Sequence, residues 1–266
     1  MKKPSKLEYS AAVHEAGRAQ VALTLGMKFE EDDAICCERG TGMTIWELMS
    51  NEKHPIAYVH TAGMTGYSNE AKVALSLAGG IAEYRVSQAD PLSIGGDAID
   101  MLHTISDQFD KLPPTTKQDD RWLAAAMRES FYVYESVEEA KHDVAWALST
   151  KDHDDIEEAN RSAALFLLYG DRDEADKDAE DVENAVLALC VSQNTEDARK
   201  MLEPRVTAEP YFTFLAEAAD KARAILNERW DIVLSLATHL LKVGRMSAAE
   251  LTAFGQATPV HAAVAN

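Results

Sequence analysis

Positive charge is what this sequence has least of. Its 266 residues carry 26 Lys and Arg against 45 Asp and Glu, a formal net charge of −19. Phosphate backbones are bound by clustered lysine and arginine, so this balance excludes nucleic acid as the main partner. An anionic membrane surface is disfavoured for the same reason. The simplest role of the acidic surface is solubility, with attraction of basic partners or imitation of nucleic acid as a lesser reading. Cysteine is scarce too: there are three, and Cys36-Cys37 are adjacent, which gives neither a disulfide framework nor the C-x-x-C spacing of a structural zinc site. That usage fits a reducing compartment, and a cytoplasmic location is expected. Apolar runs never approach the roughly 18 to 20 residues of a membrane span. Met1-Lys2-Lys3-Pro4 is basic, but a charged helix follows in place of an apolar signal core, so secretion is not expected. No fixed-period repeat is present, and no G-x-x-x-x-G-K-[ST] phosphate loop occurs in these residues.

What is present suffices for a substantial core: 46% of the residues are hydrophobic. Val13, Ala16, Val21 and Leu25 recur at helical spacing, which predicts a helix over 7–25 with Ser10 as a cap for a start just inside that span and Gly26 as its stop. Beyond Gly26 the period changes. Lys28-Phe29-Glu30 and Ala34-Ile35-Cys36-Cys37 read as short strands divided by the acidic turn Glu31-Asp32-Asp33. Arg39-Gly40-Thr41-Gly42 is a turn signal, and Met43-Thr44-Ile45-Trp46 reads as a further strand. A second helix is predicted over 69–86, with small residues at its centre that permit close packing. After Asp90-Pro91, the glycines Gly95-Gly96 lead into another helix with Asp97 and Asp100 in its first turn, where acids are electrostatically favoured. The region 111–204 is helical in composition, and the acidic run 171–183 reads as a solvated helix face or loop. A strong final helix is predicted over 211–243, followed by a frayed Ala-rich tail. The fold class expected is mainly α with a small β-sheet near the N-terminus. The organisation expected is one domain over 1–255, with 110–205 as a helical insertion and 256–266 as a flexible tail.

The chemistry-bearing stretch is Val13-His14-Glu15-Ala16-Gly17-Arg18-Ala19. An H-E-x-x-H helix sets two histidines one turn apart on one face to bind zinc, with the glutamate beside them as general base. Here His14 and Glu15 are in place and Arg18 stands where the second histidine belongs. Guanidinium has donors only and stays protonated, so it supplies no lone pair to a metal. Its charge repels a divalent cation at such range, and it suits a carboxylate as partner. Read without further context, His14 is a hydrogen-bonded helix residue and Glu15 with Arg18 an ordinary pair three positions apart.

These pieces together resemble the peptidase domain of the FtsH-type ATP-dependent zinc metalloproteases. His14-Glu15-Ala16-Gly17 followed by Val21-Ala22-Leu23-Thr24-Leu25-Gly26 is similar to that family's H-E-A-G-H metal helix. Arg39-Gly40-Thr41-Gly42-Met43-Thr44 is similar to its R-G-x-x-G-x-T loop, one residue shorter. Leu77-Ala78-Gly79-Gly80-Ile81-Ala82-Glu83 is similar to its L-x-G-G-R-x-A-E helix without the arginine. The order is the family's order, and the likeness covers about 8–105 and 209–252, where the closing helix and Met246-Ser247-Ala248-Ala249-Glu250-Leu251 also match. The resemblance implies a helical metallopeptidase-like domain, zinc as cofactor if active, His14 and Asp100 as metal ligands, Glu15 as catalytic base, and Gly42, Met43 and Thr44 as substrate-binding. Asp100 lies in Gly96-Asp97-Ala98-Ile99-Asp100-Met101, at the family's distance from Glu83. Asp155, within Asp152-His153-Asp154-Asp155-Ile156, matches the local sequence as well, and His60, His103 and His153 are other possible ligands. His103 is one helical turn from Asp100.

The expectation is therefore a peptidase-like protein short of one zinc ligand, impaired or inactive in hydrolysis, that binds polypeptide or a partner protein. An active standalone zinc metallopeptidase with a substitute ligand is the alternative, and an acidic helical interaction protein the second alternative. Oligomers are possible, since the family's peptidase domains assemble as rings.

Overall fold

A computed structural model describes residues 4–32, 34–38, 56–59, 61–62, 66–88 and 172–257, with isolated positions at 104, 141, 142, 145, 146, 148 and 149. The fold is mainly helical with small antiparallel sheets near the N-terminus, as expected from the sequence. The chain divides into two compact units, 1–94 with 186–266, and 95–185. The first holds the elements that concern the candidate site.

Helix α1 (Lys6–Thr24) starts on a reciprocal cap. Ser5 Oγ accepts from the Glu8 amide at 3.1 Å, and Glu8 Oε2 accepts from the Ser5 amide at 2.7 Å. Such a capping box satisfies two amides that a helix start leaves open. The expected cap, Ser10, instead lies buried inside the helix body. Ser5-Lys6-Leu7-Glu8 carries the S-x-x-E spacing, and that spacing decides the start. The helix ends at Leu25, and Gly26, at φ +70°, takes a left-handed conformation that costs glycine little.

The chain then enters β1 (Lys28–Phe29) and β2 (Ile35–Glu38), followed by β3 (Ile56–Val59) and β4 (Thr61–Ala62). β1 pairs antiparallel with β4, Lys28 opposite Ala62 and Phe29 opposite Thr61. β2 is the middle strand of a second sheet, flanked by β3 and by β5 (Arg245–Met246), both antiparallel; Ile35 faces Val59 on one side and Met246 on the other. Ile35, Cys36 and Cys37 are all buried, so β2 reads as a continuous apolar run without alternation. The further strand expected over 43–46 lies outside the described residues.

Helix α2 (Asn69–Ser87) is capped by Ser68, whose hydroxyl accepts from the Ala71 amide at 3.2 Å, and ends at Gln88 with φ +51°. From Val73 through Glu83 every residue is buried. α1 packs against α2 and against α6 (Pro210–Val243), which also packs on α2. Small side chains set the approach of α1 to α2: a Cβ on Gly17 would fall 2.6 Å from Ala82 Cβ and 3.0 Å from the Ala78 carbonyl oxygen. α6 begins at Pro210, favoured in a first turn where its missing amide costs nothing, and stops at Gly244, φ +83°. Its 34 residues span about 51 Å. Phe212, Leu215, Ala219, Ala222, Leu226, Val233, Leu236 and Leu240 form its buried stripe at helical spacing. Gly244 turns the chain directly into β5, so the C-terminal helix supplies the third strand of the N-terminal sheet.

Between α2 and α6 in sequence lie α3 (Arg172–Val191), α4 (Thr195–Met201) and α5 (Pro204–Thr207); α7 (Ala248–Ala257) closes the described chain. The acidic run is helical from Arg172, with Glu180 and Glu183 exposed as a solvated face requires, while Asp181 is buried. Among the described residues no helix is long and apolar enough to cross a membrane.

Candidate functional site

Because α1 is covered along most of its length, His14 and Glu15 are only 3% and 5% exposed. Polar side chains at that depth require partners. His14 finds one on α2: its Nδ1 stands 3.2 Å from Glu83 Oε2, and both side chains are buried. A carboxylate only accepts hydrogen bonds, so this pairing places the imidazole hydrogen on Nδ1. The other end of the ring rests on Gly79. A Cβ built there would run into Nε2, Cδ2 and Cε1 of the imidazole. Gly79 and Glu83 are one helical turn apart, so a single face of α2 supplies both the space and the acceptor that hold His14.

Glu15 is held differently. Arg18 Nη1 approaches its Oε2 to 3.8 Å, an ion-pair distance beyond hydrogen-bond range. That oxygen is buried and has no hydrogen-bond partner among the described residues. The guanidinium therefore supplies the nearby positive charge for a carboxylate that α1 carries into the interior.

β2 brings Cys37 beside the same helix, with Sγ 3.8 Å from the Glu8 carbonyl oxygen. Its thiol is pushed up from 9.0 to about 12, first by burial and then by the negative charges of Glu15, Cys36 and Glu8. A thiol so raised is not a nucleophile near neutral pH.

The resemblance implies zinc here, and the donor set is the test. Among the described residues no group of three His, Cys, Asp or Glu side chains is disposed to hold a metal. His14 has one end bonded to Glu83 and the other packed on α2, and the guanidinium of Arg18 lies beside Glu15. A histidine bonded to a carboxylate is also the arrangement that orients metal-bound imidazoles, so that bond alone does not discriminate. The described residues do not by themselves fit zinc, and no step is derived through it.

Of the residues named from the sequence, the structure buries His14 against α2 and buries Glu15, with Arg18, half-buried, beside Glu15 on the same helix. Asp100, Asp155, His60, His103 and His153 lie outside the described residues, as do Gly42, Met43 and Thr44. Glu83 and Gly79 are the site residues that sequence reasoning did not assign. A single acid closing the otherwise apolar run Leu77-Ala78-Gly79-Gly80-Ile81-Ala82-Glu83 was the available signal, because a buried carboxylate implies a partner. No protein family, curated protein or solved structure matches the chain.

Proposed function

We propose that this protein is a non-hydrolytic relative of the FtsH-type zinc peptidases that serves as a binding module for polypeptide or a partner protein. The observation that carries the reading is the Glu15–Arg18 pair, at 3.8 Å, on the helix that also presents His14. Arg18 stands one turn beyond His14, where a second metal-binding histidine would belong, and it provides Glu15 with a counter-charge in place of a cation. Glu83 and Gly79 hold His14 within the packed α1–α2 contact. The occupant, polypeptide or partner protein, follows from the resemblance alone. Metal analysis of the purified chain, with casein hydrolysis and binding of fluorescein-labelled casein followed in parallel, tests the reading. Substoichiometric zinc, no hydrolysis and saturable casein binding are expected. Stoichiometric zinc that disappears in His14→Ala, together with hydrolysis abolished by Glu15→Gln, would establish an active metallopeptidase instead.

A further inference from the structure

A cavity of about 410 Å³ lies between the last turns of α2, the α3–α4 junction and the middle of α6, all within the first unit. It is separate from the His14 cluster in its lining. Ile81, Val191 and Leu226 give it apolar wall, and Arg85, Asn227 and Gln193 give it polar groups. Its volume falls within the range of small-molecule sites, about 300–1,000 Å³, and this mixture of lining suits an amphipathic ligand.

Two arginines line the cavity, and they differ in what they are committed to. Arg223 is buried and structural: Nη1 donates to Asp220 Oδ1 at 2.6 Å, and Nη2 donates to the Leu189 carbonyl. Arg85 is exposed and has no carboxylate partner among the described residues. Its Nη1 donates to Asn227 Oδ1 at 2.9 Å, and its guanidinium carbon lies 4.0 Å over the Trp230 ring. The stack and the hydrogen bond fix the guanidinium plane and, among the described residues, leave most of its five N–H donors unspent. Partial desolvation of the guanidinium holds Arg85 below its usual range even though the residue as a whole is exposed, and an anion beside it would offset that. The carbonyls at the end of α2 favour a cation there, but Tyr84 and Arg85 carbonyls already accept from Gln88 Nε2 and consume none of Arg85's donors. In a chain of net charge −19, a cation fixed in place at a cavity and unpaired by any described acid is an anion-binding feature.

We propose that this cavity binds a small organic carboxylate, its two oxygens on the remaining donors of Arg85 and its apolar part against Ile81, Val191 and Leu226. The planar fork pairs bidentately with carboxylate and phosphate alike, and the apolar wall, which gives no partner to inorganic phosphate, is what favours an organic carboxylate. The site does not depend on the peptidase-like reading.

Calorimetric titration of the full chain with butyrate, hexanoate and N-acetylleucine tests it, with N-acetylleucinamide and inorganic phosphate as comparison ligands. At least one carboxylate should bind saturably, and N-acetylleucinamide and phosphate should bind at least about tenfold more weakly than it. Arg85→Gln should weaken that carboxylate by about tenfold or more, and Arg85→Lys, which keeps the charge and loses the fork, should weaken it less. Arg205→Gln, at an exposed pair with Glu203 outside the lining, should change nothing. Saturation by none of the three carboxylates, equal binding of the amide or of phosphate, or binding unaltered in both folded Arg85 variants would overturn the proposal.

Discussion

His14 Nδ1 and Glu83 Oε2, 69 positions apart in the chain, meet at 3.2 Å in the packed contact between α1 and α2. Both residues are almost wholly shielded from water, so the contact helps to satisfy two buried polar groups. Removing the acceptor of a buried hydrogen bond costs about 1–3 kcal/mol. Glu83→Ala is expected to lower unfolding free energy by that amount in urea titrations. Glu83→Gln keeps an acceptor for the imidazole N–H and should recover more than half of the loss. Equal stability of the alanine and wild-type chains would mean that the contact is not formed in solution.

Gly79 is required by its neighbour rather than by its own backbone. A Cβ there meets the His14 ring, and overpacking of that kind costs about 1–3 kcal/mol. Gly79→Ala should therefore destabilise the wild-type chain. In a His14→Ala background the obstruction is gone, and alanine's better helix propensity, about 1 kcal/mol, should make the same change neutral or stabilising. A double-mutant cycle of urea midpoints reads this reversal directly; additivity of the two substitutions would separate Gly79 from His14.

Cys37 gives the fold an alkaline limit. Its thiol rises from 9.0 to about 12 on folding, so the native state keeps a proton that the unfolded chain releases. The resulting stability is complete below about pH 9 and is lost progressively as pH rises from there towards about 12. Unfolding midpoints measured across that window should fall less steeply in Cys37→Ala than in wild type, even if the variant is less stable at neutral pH. Parallel curves would remove Cys37 as the cause.

Local chemistry made much of this fold legible. The 3.6-residue period located α1, α2 and α6 to within one residue at their ends, with Gly244 just past the end of α6. The cap of α1 was assigned to Ser10, close to the His-Glu pair, whereas the Ser5–Glu8 spacing is what satisfies the open amides. Periodicity carries no information about partners distant in the chain. It could show that His14 and Arg18 share a helix face, but not that Glu83 and Gly79 enclose the imidazole. Nor did it pair β5 with β2, since Arg245–Met246 is too short to show any period and is placed by the Gly244 turn.

Arg18→His probes the site most directly. The substitution removes the guanidinium that lies 3.8 Å from Glu15 and puts an imidazole one turn from His14, restoring the H-E-x-x-H spacing. If α1 descends from a zinc helix and a further ligand such as Asp100 completes the site, zinc affinity should rise by at least about tenfold, since the variant gains a ligand and loses a repelling charge. Equilibrium dialysis against a zinc chelator measures the gain, and adding His14→Ala to the variant should abolish it. Glu15 loses its counter-charge at the same time, so the metal-free variant should be less stable than wild type and regain stability when zinc is added. An unchanged zinc affinity in a folded Arg18→His chain would place the third ligand elsewhere than beside His14, and the peptidase-like reading of α1 would fall with it.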